Sequence, residues 1–205
     1  DLNRALDVIA AHPNVGPFIG RQLIQRLVGS NPSPAYVGRV AQAFNTGRYQ
    51  SGAYIVGTGQ RGDLKATVAA ILLDTEARSA PTNPGKTREP VLRLAQWMRA
   101  FKAQSASGVF LVGTTDDPAF SLGQSPMRSP TVFNFYRPGY VPPNTSIAIA
   151  GLVAPELQIV NEVSVVGYSN FMRSIVQNGA GANSPRDVQP DYSAEIALAH
   201  DANLL

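Results

Sequence analysis

The chain has 205 residues, 44% of them hydrophobic and only 15% charged, with a net charge of +3; this composition can form a real core and argues against a disordered tail. It holds no Cys and two His, which excludes structural disulfides, thiolate catalysis and Cys-ligated metals, and His12 and His200 alone cannot build a His-rich metal site. No apolar run approaches the roughly 20 residues of a membrane-spanning helix, and the positive charges are scattered rather than clustered, which argues against nucleic acid as a partner.

Of the 17 basic residues, three are Lys (Lys65, Lys86, Lys102) and the rest are Arg, a bias toward bidentate contacts with carboxylate, phosphate or sulfate. The low charge content favours a chain that buries much of its surface, against a partner or a further lobe. No signal peptide is visible. The chain starts at Asp1 without a Met, which fits a leader that was removed or lies upstream.

Leu2, Ala5, Leu6 and Ile9 fall at helical spacing, and His12-Pro13-Asn14 ends that helix. Phe18, Ile19, Leu23, Leu27 and Val28 trace the apolar face of a second helix, with Gly29 as its stop. Ser33-Pro34 starts a third, a Ser cap with Pro in the first turn, running to about Asn45. Residues 46–62 form a Gly-rich insertion or hairpin with Tyr54-Ile55-Val56 as one strand. Asp63 caps a helix whose core face is Leu64, Val68, Ile71 and Leu72, ending near Arg78.

A Pro-rich link follows from Ser79 to Lys86. Pro90 opens an amphipathic helix bearing Val91, Leu94, Ala95, Met98 and Phe101. Residues 105–153 form a long loop region, dense in Pro, Gly, Arg and aromatics between Leu122 and Pro143. Pro155 opens the longest helical pattern, Leu157, Val160, Val163, Gly167, Phe171 and Ile175, which Gly179-Ala180-Gly181-Ala182 ends. A last short helix runs from Ser193, as cap, to the C-terminus. The sequence therefore predicts a mainly α fold, an irregular lobe of about six helices with long Gly/Pro-rich loops and at most a small β-hairpin. No internal repeat or long heptad pattern occurs.

The chemical inventory is thin. Arg128, Asn134, Tyr136, Arg137 and Tyr140 lie in the long loop and could line a polar, aromatic pocket for an anionic or sugar-like ligand. In the competing arrangement Phe133, Phe135 and Tyr136 plug the loop onto the helices while the Arg residues satisfy loop carbonyls. Arg88-Glu89-Pro90 opens the helix that carries Trp97; Glu89 suits a helix N-terminus, and Arg88 is free to pair with a carboxylate. Glu156 and Glu162, six positions apart, do not share a helix face and do not make an acid-base pair; Glu156 suits a buried capping or salt-bridge role. His12 suits a helix end. His200-Asp201 is not a triad without a nucleophile, and Ser121, Ser125 and Ser129 have no nucleophile elbow. The run GTGQRG at 57–62 lacks the Lys-Ser/Thr ending of a P-loop. No catalytic residue, metal or cofactor is assigned.

Five blocks in order, HPNVGPFIGRQLIQRLVGSNPSPAYVGRVAQAF, RGDLKATVAAILLDTEAR, GKTREPVLRLAQWMRAF, LGQSPMRSPTVFNFYRPGYVPP and GLVAPELQIVNE, resemble the C-terminal half of the DUF1800 family, large bacterial proteins without an assigned function. The match covers most of the chain, to about Asn170. The resemblance implies a longer parent whose upstream half carries its own acidic and His-containing helical motifs, none of which occurs here. It also implies export to the periplasm, cell surface or exterior. Residues 46–62 look expanded relative to the family. On this reading residues 1–205 are a single helical domain or a C-terminal lobe. The lobe is either a structural or interaction module for the upstream half or a partner subunit, or the substrate-binding part of an envelope enzyme acting on a polymeric or anionic substrate.

Overall fold

Capping chemistry sets most of the helix boundaries. The computed structural model describes residues 1–79, 85–181 and 185–199. Helix α1 (Leu2–Ala11) stops at His12, and α2 (Val15–Leu27) stops just ahead of Gly29. Helix α3 (Pro34–Thr46) starts from Ser33, whose hydroxyl accepts from the Tyr36 N–H at 3.1 Å. Gly47 ends α3 with φ 63°, and a Cβ there would collide with the Gln60 backbone, so no other residue fits without strain. The Gly-rich stretch holds an antiparallel hairpin, β1 (Tyr49–Ser51) with β2 (Tyr54–Val56), in the register Tyr49 opposite Val56.

Two predicted helices are divided. Helix α4 (Leu64–Leu72) starts from Asp63 as expected but stops at Leu72, and Asp74 caps a separate turn, α5 (Thr75–Arg78). Asp74 bonds better to the Glu76 N–H and to Arg39 than it would sit inside a helix. The long pattern predicted from Pro155 is likewise two elements. A 3-10 helix spans Pro155–Ile159, and α8 (Glu162–Asn178) starts afresh at Asn161 through a capping box with Ser164, both bonds 2.9 Å. Apolar residues three apart suit a 3-10 turn and an α-helix alike, which is why the pattern reads as continuous.

Helix α6 (Pro90–Ala100) begins at Pro90 as predicted. The long loop carries one four-residue helix, α7 (Ser146–Ile149), capped by Thr145. A second two-stranded ladder pairs β3 (Gln104–Ser105) with β4 (Val188–Gln189), in the register Gln104 opposite Gln189. Helix α9 (Ser193–Ala199) contains Ser193 as its first residue rather than its cap, and the Asp191 carboxylate accepts from the Ser193 N–H. Residues 80–84 of the Pro-rich link, Ala182 of the predicted helix stop, and His200-Asp201 lie outside the described residues. The fold is mainly α, with two small antiparallel sheets among the described residues. No helix among the described residues is long and apolar enough to cross a membrane.

The chain gathers into two compact units. The first comprises Asp1–Lys86 and Pro138–Pro155. Its core is Ile24, Tyr36, Val40, Ala43, Ala70 and Ile71, drawn from α2, α3 and α4. Gly20 of α2 lets α3 approach; a Cβ there would stand 3.1 Å from Val40 Cγ1. The returning segment is tied in by side chains that imitate backbone. Asn31 donates to Val153 O and accepts from Val153 N, both at 2.9 Å, and buried Gln25 donates to Ser30 O and Pro138 O. Helix α1 has no buried residue. Arg61, in the GTGQRG run, fixes its C-terminal end by donating to Ala10 O and His12 O.

The second unit comprises Thr87–Arg137 and the described part of Glu156–Leu205. Leu94, Trp97, Leu122, Ile175 and Val188 lead its core. Each fully buried aliphatic side chain of this kind contributes about 1.5–3 kcal/mol. Trp97 donates to the Tyr192 hydroxyl at 3.2 Å, and the Tyr192 ring meets Phe101 edge-on at 4.9 Å.

Candidate functional site

The long loop is held by polar links of its own. Glu89, just ahead of α6, accepts a hydrogen bond from the Gln124 side chain, whose Oε1 in turn accepts from Val91 N at 3.1 Å. Gln124 also clamps Thr115: its N–H donates to Thr115 O, and the Thr115 hydroxyl donates to Gln124 O at 2.7 Å. Next to Thr115, Asp116 pairs with Arg128 at 2.8 Å. Glu89 and Arg128 are therefore joined through one hydrogen-bonded loop neck. Arg137 is not part of it; its guanidinium lies over the Phe133 ring at 5.4 Å. Arg88, pictured as pairing with a carboxylate, instead donates to the Gln96 side chain.

Asn134 sits in the left-handed region at φ 70° and closes a turn onto Thr131 O, a conformation Asn tolerates better than most residues. Tyr136 is buried, whereas Phe133 is 63% exposed. The plug is thus made by Tyr136 and not by Phe133. The Arg residues contact an acid and a ring rather than loop carbonyls. Glu156 is buried at the start of the 3-10 helix. His12 closes α1, as read from Pro13, and its Nδ1 accepts from Asn14 N.

Two carboxylate centres carry no motif in the sequence. In the first unit Asp74 accepts a bidentate pair from Arg39, at 2.7 and 2.8 Å. The Glu76 carboxylate accepts from the Ser33 N–H at 2.8 Å and from its hydroxyl at 2.5 Å. Together they lock the start of α3 to α5. In the second unit the buried Asp187 carboxylate accepts from Ser105 Oγ, Ser107 N, Ser107 Oγ and Leu111 N, all between 2.7 and 3.0 Å. It gathers the loop 105–111 onto β4, with Phe110 held at φ 53°.

The electrostatics follow from these bonds. The Arg39 hydrogen bond holds the Asp74 carboxyl below the usual carboxylate range, and the same contact raises Arg39. Arg128 lowers Asp116 in the same way. Burial pushes Asp187 up, but the hydrogen bonds from Leu111, Ser105 and Ser107 outweigh it and the net shift is downward. Burial, with Asp74 and Glu76 nearby, pushes the Tyr36 hydroxyl up to about 12 while it donates to Ile71 O at 2.7 Å. Each of these displacements leads away from neutrality. The hydrogen bonds show these groups holding segments of the chain together. No cluster of three or more His, Asp or Glu able to hold a metal ion occurs among the described residues.

A mainly helical chain with Gly/Pro-rich loops, pinned by hydrogen-bonded carboxylates, is the class of protein this structure defines. The chain belongs to the DUF1800 family, described as "Protein of unknown function (DUF1800)", whose family model matches residues 1–202. No curated protein and no solved structure matches it.

Proposed function

We propose that this chain is a structural and interaction lobe of a longer, exported bacterial DUF1800 protein, corresponding to the family's C-terminal half. Its long loop faces the upstream half of the parent or a partner subunit. One observation carries this reading. Phe120, Met127, Val132 and Phe133 stand in water at 63% exposure or more, in a segment whose neck is already tied by its own polar groups. Four large apolar side chains this exposed within 14 residues fit a surface that a partner covers. The test is hydrogen exchange over residues 120–137 in the source-purified parent and in the isolated 205-residue chain, with intact masses of whatever co-elutes. Protection in the parent supports the reading; equal exchange in both, with nothing co-eluting, overturns it.

A second reading makes the lobe the substrate-binding part of an envelope enzyme, with catalytic groups upstream. Arg137 favours it: its charge lies on an exposed aromatic face, with no carboxylate pairing it among the described residues. Loss of polyanion retention on Arg137→Gln, with the upstream half present, would select this reading.

A further inference from the structure

A cleft of about 390 Å³ opens in the second unit. Helix α8 supplies Asn170, Phe171 and Ser174 to one wall; Phe120, Gly181 and Arg186 are among the residues that complete the lining. This size lies within the range of small-molecule sites, about 300–1,000 Å³. Its lining mixes aromatic faces with a few polar groups, the composition that orients a ligand having an apolar body and one charged end.

Arg186 is the charged feature. Its two terminal nitrogens donate to Gly179 O at 2.9 Å and to Ser174 Oγ at 3.0 Å. Both acceptors are neutral. They fix the plane of the guanidinium without neutralising it, and no carboxylate pairs with it among the described residues. The adjacent Asp187 gives its carboxylate to Ser105, Ser107 and Leu111 instead. Two of the five N–H donors of the guanidinium are used, which leaves three for a further acceptor. Asn170, on the same wall, is exposed, and its side chain makes no hydrogen bond among the described residues. Phe120 is 79% exposed at the rim.

The geometry points to a binding site for a small organic anion with an apolar body, its carboxylate on Arg186 and its body against Phe120 and Phe171. This goes beyond the interaction role proposed above, with which it shares Phe120, and it is tested on the isolated chain, where no partner covers that residue. The test is a titration of the 205-residue chain with 4-phenylbutyrate and, separately, its neutral amide, followed by amide NMR shifts at Asn170, Ser174 and Gly181. The acid should give saturable shifts at these positions by about 10 mM and bind at least about tenfold more tightly than the amide. Arg186→Gln should erase that preference, and Phe120→Ala, at an exposed position, should weaken both probes. No saturable shift with the acid, equal binding of acid and amide, or a preference that survives Arg186→Gln overturns the site. If Arg186→Gln fails to fold, the acid-to-amide ratio on the unaltered chain and on Phe120→Ala decides.

Discussion

Asp74→Asn isolates the ion pair at the junction of α3 and α5. The new side chain keeps an oxygen to accept from the Glu76 N–H, so the α5 cap survives while the charge is lost. The pair is bidentate, at 2.7 and 2.8 Å, with Asp74 at 8% exposure and Arg39 at 48%. Fully exposed pairs contribute about 0–1 kcal/mol and hydrogen bonds to charged groups about 1.5–3 kcal/mol. Solvent around Arg39 screens this pair, so the expected loss is about 1–2 kcal/mol at neutral pH. In urea that moves the unfolding midpoint by roughly 1 M. Arg39→Gln should cost a similar amount, and the double variant little more than either single one. The pH dependence has a definite sign. Asp74 ionises more readily folded than unfolded, so its contribution is present above the unfolded value near 3.9 and fades as pH falls through the lower folded value. The gap between the unaltered chain and Asp74→Asn should narrow below about pH 4. Additive effects of the two single substitutions, or a gap unchanged from neutral pH to about pH 3, would refute the coupling.

Asp187→Asn should loosen the 105–111 loop, read as faster amide exchange at Ser107 and Leu111, whose N–H groups the carboxylate now accepts. In the unaltered chain the same amides should lose protection only in acid below the ordinary carboxylate range, because the folded Asp187 value is lowered. Gly167→Ala should destabilise the second unit by about 1–3 kcal/mol: its methyl would meet the Pro118–Ala119 backbone, with Ala119 C at 2.7 Å. Unfolding watched through Trp97 fluorescence measures this, and an unchanged midpoint would contradict the close approach. Tyr36→Phe should cost about 1 kcal/mol by removing the bond to Ile71 O. In ultraviolet titration one tyrosine should ionise near 12. Stability from Tyr36 is then complete below the unfolded value near 10 and falls as pH rises toward 12.

Helix starts written in short local patterns were read directly from the residues. Ser33-Pro34 and Asp63 cap where they should because capping depends on a side chain and an N–H three positions away. Asn161 and Asp74 also cap, yet both were read as helix interior, since apolar spacing ran on through them. Asp74 is drawn out of the helix by Arg39, 35 positions earlier; no local window contains that partner. The resemblance carried by five ordered blocks is matched by the family model over residues 1–202, which shows the family. Arg128 and Arg137 were singled out by the composition of the long loop, and Glu89 by its place at the start of α6. The structure separates them, tying two into the loop neck and leaving Arg137 on Phe133.

Composition, capping pairs and apolar periodicity thus settled the mainly helical class and most helix starts, and marked Tyr54–Val56 as a strand, because each depends on residues within a few positions of one another. Folding in three dimensions settled the rest. The β3–β4 ladder, the Asp187 centre that gathers Ser105, Ser107 and Leu111, and the Arg186 cleft join residues that are mostly distant in sequence. Such joins become favourable only once the cores around Trp97 and Tyr36 have met the entropy of closing the long loops between them.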